Sequence, residues 1–285
     1  MGRKRWAALA ALVLVLFLGA VVVPLPSLVL LRFRPPGTTA FIKARQRRLR
    51  DEGKSDVIDR RPVPLSAVSP ALVRAVLAAE DGRFYDHHGI DWEAVEEART
   101  HNRAQEGKRR PRLHGASTIT QQLAKNLYLS PRRTFLRKGR EAAIAVAMEL
   151  ILPKEKILEH YLSAVEFGDN VYGCEAAERR YFKVSARSLT PAQAAWLAAM
   201  LPGPSFYRSR PALHQRRADR IATRVAKETG FGSPLEDDPD DTPAGSDTPP
   251  GPATLKASEA PETPAAPATT STPGSRESPE TAPPR

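Results

Sequence analysis

Two acidic sites and a string of cations are the groups in this chain best suited to move protons and hold anions. Glu80 and Asp81 end a helix-like pattern and are followed by Phe84, His87, Gly89 and Asp91. A carboxylate at a helix C-terminus faces the negative end of the macrodipole, and Ala78, Ala79 and Phe84 desolvate it further. Both effects favour its protonated form. A carboxyl group so tuned exchanges protons near neutral pH. The same residues also fit an ordinary surface acid at a helix end, and the local pattern leaves both readings open.

Anion binding has two candidate sites. In the run from Gly115 to Asn126, backbone amides at a helix start, with the Ser117 and Thr118 hydroxyls, can receive an anion. Gln121 and Lys125 are four apart and share a face. In the run from Arg133 to Glu141, Glu141 stands four residues after Arg137 and three after Lys138. That spacing gives either a solvated salt-bridge face or a pyrophosphate cluster of guanidinium forks and an ammonium. Glu141 would then steer the cations or hold a divalent ion. Residues 108–112 are a basic loop, either near substrate and lipid headgroups or simply solvated.

These side chains need helices to place them. Ser69 and Pro70 have cap and first-turn character, Leu72, Val73, Val76 and Leu77 form the apolar stripe, and Glu80 falls at the end. Thr118 and Gln121 have capping-box spacing at the start of a second helix, with Leu123 and Leu127 on its apolar side. A third runs over about 134–152 with Ile144, Met148 and Ile151 inward, stopped by Pro153. A fourth begins near Lys154 and reaches Tyr161 and Leu162, and an apolar helix near 191–201 reads as core. There is no strand pattern of period two and no internal repeat.

The 285 residues suffice for one sizeable domain plus accessories. Cys174 is the single cysteine, so no intrachain disulfide forms. The net charge of +11 is uneven: from Glu236 to Arg285 ten acidic and three basic residues give −7, leaving +18 for the rest. A body so basic attracts an anionic partner. Residues 6–23 are uncharged and almost wholly apolar, about 27 Å as a helix. They are long for a signal peptide, no Ala-x-Ala site follows, and Arg3, Lys4 and Arg5 favour a cytoplasmic N-terminus. The expected organisation is a cytoplasmic stretch 1–5, a transmembrane anchor 6–31, a connector 32–65, a helical domain 66–230 and a disordered acidic Pro/Thr/Ala-rich tail 231–285. The anchor puts the domain outside the cytoplasm and argues against nucleic acid as partner.

Taken in order, the motifs resemble those of the peptidoglycan glycosyltransferase family, most closely its monofunctional biosynthetic transglycosylases. The first is Glu80-Asp81-x-x-Phe84-x-x-His87-x-Gly89-Ile-Asp91. The second runs from Gly115 through Ser117, Thr118, Gln121, Gln122 and Lys125 to Asn126. The third is Arg137-Lys138-x-x-Glu141. The fourth runs from Lys156 through Glu159, Tyr161, Gly168 and Gly173 to Phe182, and a degenerate fifth holds Arg216, Arg217 and Ile221. The resemblance covers about residues 60–225. Ala116 and Ser163 depart from the usual Gly and Asn, and the Ser-x-x-Lys and Lys-Thr-Gly motifs of a transpeptidase domain are not found in the chain.

The resemblance implies a mainly α, lysozyme-like glycosyltransferase domain with a membrane-proximal subdomain, held at the inner membrane on its periplasmic side. Its expected substrates are lipid II and the growing lipid-linked glycan strand, with division or elongation proteins as possible partners. It assigns Glu80 and Glu141 to catalysis. Asp81, Phe84, Ser117, Thr118, Gln121, Gln122, Lys125, Asn126, Arg133, Arg137 and Lys138 are expected to bind substrate. Glu141 is also the expected ligand of any Mg²⁺ or Mn²⁺; no organic cofactor is expected. The rival readings are a lysozyme-like glycan hydrolase, with Glu80 as general acid, and a non-catalytic membrane scaffold.

Overall fold

The structure is a computed structural model and describes residues 19, 24–108, 113–131, 134–185 and 187–227. Residues 6–18 and 20–23 of the expected anchor lie outside the described residues, as do 109–112, Arg133 and the tail 231–285. Among the described residues no helix is long and apolar enough to cross a membrane.

The described end of the anchor segment packs against the domain through Leu28 and Leu31, while Leu25, Val29 and Leu30 stay exposed. Pro24 and Pro26 open a short helix, α1 (Leu25–Leu30), whose Leu28 is fully buried and joins the domain core together with Leu31. The Leu31 carbonyl lies 2.7 Å from His160 Nε2. Residues 24–31, read from the sequence as the end of the span, therefore pack against the domain on one face. The 32–65 stretch expected as a connector also carries regular structure. Thr39 caps α2 (Ala40–Asp51) by accepting from the Ile42 amide at 3.1 Å, and Ile42 and Leu49 are buried. Strand β1 (Asp59–Arg60) follows.

The helices that carry the motifs form where their caps place them. Ser69 accepts from the Ala71 amide at 3.2 Å to start α3 (Pro70–Glu80), and Leu72, Val76 and Leu77 are buried beneath it. Asp91 caps α4 (Trp92–Ala104). The reciprocal box of Thr118 and Gln121 opens α5 (Ile119–Tyr128). Thr134 caps α6 (Phe135–Ile151), which ends one residue before the expected stop. Pro153 then starts α7 (Lys154–Ala164).

A small sheet follows that the residue pattern does not foreshadow. Strands β2 (Glu166–Gly168) and β3 (Val171–Tyr172) form an antiparallel pair, and β1 adds in parallel on the other side of β3. Strands of two or three residues are too short to show a period. The remaining helices are α8 (Cys174–Tyr181), α9 (Pro191–Met200), α10 (Pro204–Arg208) and α11 (Pro211–Ala226).

The packing explains the position of the motifs. Helix α9, nearly all Ala, Leu and Met on its buried positions, lies against both α3 and α11, while α5 lies against both α6 and α7. One hydrophobic cluster joins the two groups, with Leu72, Leu123, Ile144, Leu158 and Leu197 all fully buried in it. Gly89 sits where α6 passes closest: its φ is +93°, and a Cβ there would lie 3.1 Å from the Ala145 backbone. Only glycine takes that conformation and that approach cheaply.

Candidate active site

Glu80 is the last residue of α3, and three elements meet at its carboxylate. Oε2 accepts from Gln122 Nε2 of α5 at 3.0 Å. Oε1 lies 3.6 Å from Arg217 Nη2 of α11, and both side chains are below a tenth exposed. Burial disfavours a charge here while the guanidinium favours it. Arg217 belongs to the weakest of the sequence motifs, and only the packing of α11 behind α3 reveals its role beside Glu80.

Asp81 and Phe84, expected to bind substrate, are placed elsewhere. Asp81 Oδ2 accepts from the Ile119 amide at 2.8 Å, an additional cap on α5. Both its oxygens lie 3.0–3.1 Å from His87 Nε2. The Gly89 amide donates to His87 Nδ1 at 3.2 Å, so Nδ1 carries no proton and Nε2–H points at Asp81. Phe84 is buried in the core with Lys154 Nζ 4.5 Å from its ring centre. These two residues tie the turn after Glu80 to α5 and to the core.

The second motif splits in the same way. Thr118 and Gln121 are buried in their capping box, and Thr118 Oγ1 also donates to the Gly89 carbonyl at 2.7 Å. They hold α5 in place. Gln122 faces Glu80. Ser117 Oγ accepts from Lys138 Nζ at 2.8 Å, so the same helix start that receives Asp81 also reaches the cation cluster. Lys125 projects from the next turn with its ammonium 6.0 Å from the Phe41 ring centre. Asn126 is buried.

Glu141, only 2 % exposed, gathers the third motif. Its Oε1 lies 2.6 Å from Lys138 Nζ and its Oε2 accepts from Arg137 Nη1 at 3.4 Å. Helix periodicity predicts both contacts, and the buried carboxylate converts a surface pair into a fixed cation mount. Both Glu141 oxygens face cations, and among the described residues there is no cluster of three His, Cys, Asp or Glu side chains that could hold a metal.

Sequence reasoning passes over a second buried network. Lys154 Nζ donates to the His87 carbonyl at 2.6 Å and to Glu149 Oε1 at 2.9 Å, and Thr120 Oγ1 donates to the same Glu149 oxygen at 2.6 Å. Glu149 and Lys154 are five apart across the break at Pro153, so helical spacing hides the pair. At the motif departures, the Ser163 hydroxyl donates to the Val63 carbonyl at 3.4 Å. The Ser163 carbonyl accepts from Arg60 Nε at 2.9 Å, and Ala116 lies in the segment leading to Ser117.

The site therefore consists of a buried carboxylate held by a guanidinium and an amide, next to a helix start that touches a mounted pair of cations. Comparison with known proteins gives the family. A family model described as transglycosylase matches residues 47–228. A biosynthetic peptidoglycan transglycosylase of Bordetella pertussis is 45% identical over 175 residues, covering 61% of this chain and 72% of that protein. One from Rhodospirillum centenum is 51% identical over 171 residues, covering 59% and 72%. One from Caulobacter vibrioides is 43% identical over 204 residues, covering 72% and 84%. The match contains every element that brings a side chain to Glu80 or Glu141, and the chain belongs to the transglycosylase family.

Proposed function

We propose that this peptidoglycan transglycosylase polymerises lipid II, with Glu80 as the base and the Lys138–Arg137–Glu141 cluster as the seat of the leaving pyrophosphate. The observation that carries the reading is the pair of contacts made by one stretch of α5: Gln122 on Glu80 and Ser117 on Lys138. Proton acceptor and anion mount lie on either side of the same helix start.

Glu80 takes the proton of the sugar 4-hydroxyl of the acceptor, lipid II. The freed oxygen attacks the anomeric carbon of the lipid-linked strand, the donor. The bond to undecaprenyl pyrophosphate breaks, and the configuration inverts from α to a β-1,4 link. Negative charge grows on the departing pyrophosphate, so cations already fixed in place stabilise the transition state more than the ground state. Arg137 and Lys138 are so fixed by Glu141, and the sequence motifs assign Lys125 and Arg133 to the same pyrophosphate. A hydrolase would have no use for that seat. A divalent ion bridging the pyrophosphate oxygens would sit beside Glu141.

The enzymes of this reaction work at the cell envelope, and the apolar residues 6–23 supply a single N-terminal anchor, with its start in the cytoplasm and the domain on the periplasmic side. Exposed apolar side chains support a membrane-facing surface: Leu30 ends α1, Phe33 follows it, and Leu150 lies at the end of α6. Arg32 Nη1 donates to the Ile151 carbonyl at 3.3 Å, which brings these ends together. Apolar surface gathered at one end marks a site of contact with lipid or protein. Incubation of the purified protein with lipid II and, separately, with finished glycan tests the reading. Glycan strands must grow from the first; shortening of the second without polymerisation would contradict it.

A further inference from the structure

Gln122 stands between Glu80 and a second residue that no motif function explains. Its Nε2 donates to Glu80 Oε2 at 3.0 Å, and its Oε1 accepts from Tyr161 Oη at 3.1 Å. A carboxamide has a donor end and an acceptor end, and a half-turn exchanges them. The carboxylate only accepts and so takes the N–H end, which leaves the carbonyl end to the neighbour on the other side. Tyr161 is that neighbour. It is fully buried on α7, and burial, together with the negative charges of Glu80 and Asp81, pushes its phenol well above its usual range. The phenol therefore keeps its proton across the working pH range and presents it to Gln122.

We infer that Tyr161 is a positioning residue for the transfer step: acting through Gln122, it keeps an N–H donor on Glu80 Oε2 and thereby sets the orientation and proton affinity of the base. The inference rests on Glu80 being that base. Tyr161 has no exposed surface and meets neither substrate nor the reacting oxygen. Arg217 from α11 faces the opposite carboxylate oxygen at 3.6 Å. Asp81, next in the chain, is turned toward His87 and the Ile119 amide. Helix α9, packed on α3, contributes no charged side chain.

Tyr161→Phe removes one oxygen and keeps the ring that fills the core. The buried Gln122 carbonyl then lacks its donor, the amide is no longer held against Glu80, and loss of an N–H donor from the carboxylate disfavours its charged form. Initial rates of lipid II polymerisation by the full chain are to be measured across pH for wild type, Tyr161→Phe, Gln122→Leu and the double variant, with thermal unfolding followed alongside. The expected result for Tyr161→Phe is a kcat lower by about tenfold, the effect of one hydrogen bond, with KM unchanged. The acid limb of the kcat/KM profile moves to higher pH, and the double variant is no slower than Gln122→Leu alone. A wild-type pH profile in Tyr161→Phe overturns the inference, as does a loss confined to KM, a loss that only tracks unfolding, or additive effects in the double variant. Glu80→Gln separates the two levels. If it polymerises normally, the base assignment falls and the inference with it; if it is inactive while Tyr161→Phe keeps the wild-type profile, only the role of Tyr161 falls.

Discussion

Arg217 of α11 holds a guanidinium nitrogen 3.6 Å from Oε1 of Glu80 at the end of α3, and both side chains are almost entirely buried. The contact links the last helix of the domain to the first motif. With Gln122 on Oε2, each carboxylate oxygen has a different neighbour, which fixes the plane of the group. A base must be charged to accept a proton, and in a largely dry position a nearby cation supplies what water cannot.

Replacing Arg217 by Met leaves the buried carboxylate without that cation. Loss of one partner from a buried pair costs about 3–5 kcal/mol. Denaturant unfolding should report a loss of that order, and the acid limb of the polymerisation profile should move to higher pH. Arg217→Lys should recover part of both. Unchanged stability in Arg217→Met would show that the pair contributes little to the fold.

Lys138 contacts both Glu141 and Ser117. Lys138→Met should lower kcat/KM for lipid II by about 10- to 100-fold, as expected for a charge-assisted contact worth about 1.5–3 kcal/mol. Glu141→Gln should lower it less, because both cations remain but lose their fixed mount. Steady-state kinetics with lipid II separates these outcomes; equal activity in Lys138→Met and wild type would remove Lys138 from the anionic seat.

Asp81 is a cap and an anchor, on the geometry of its bonds to the Ile119 amide and His87. Asp81→Ala should lose about 3 kcal/mol of stability, seen as a lower denaturant midpoint, with Asp81→Asn intermediate. A fully stable Asp81→Ala protein with weakened lipid II binding would return Asp81 to the substrate.

Glu178 on α8 is fully buried, and burial with the neighbouring Glu175 pushes its carboxyl from the usual 4.5 up to about 8. Between those two values the folded protein holds a proton that the unfolded chain releases. Stability from this group is therefore fully present below about pH 4.5 and is lost as pH rises toward 8, by at most about 1.4 kcal/mol per pH unit. Glu166, pushed up to about 7, acts in the same direction over a narrower window. Glu178→Gln should raise Tm relative to wild type at pH 9 and change it little at pH 4. A constant Tm difference between the two proteins across that range would contradict the assignment.

The sequence was informative wherever a pattern is local. Thr118 and Gln121 announce the start of α5, Ser69 and Pro70 that of α3, and the spacing of Arg137, Lys138 and Glu141 anticipates their contacts. Glu80 at its helix end was legible for the same reason. What stayed hidden depends on packing. Asp81 and Phe84 have the types of a ligand site, and only the fold turns them inward. Arg217 and Tyr161 reach Glu80 from α11 and α7, at separations no period describes. The pair Glu149–Lys154 straddles a proline, and the β-strands are too short to alternate. The helix α2 has only Ile42 and Leu49 buried among five basic residues, so its sequence resembles a solvated connector.

The central claim is that Glu80 is the base for glycan polymerisation. Its most direct test is the rate of lipid II polymerisation by purified Glu80→Gln, with folding and membrane insertion verified on the same sample. Gln keeps the shape and the contact with Gln122 while removing the proton acceptor. The account predicts near-complete loss of polymerisation with folding intact; a folded Glu80→Gln protein that polymerises lipid II at the wild-type rate would contradict it.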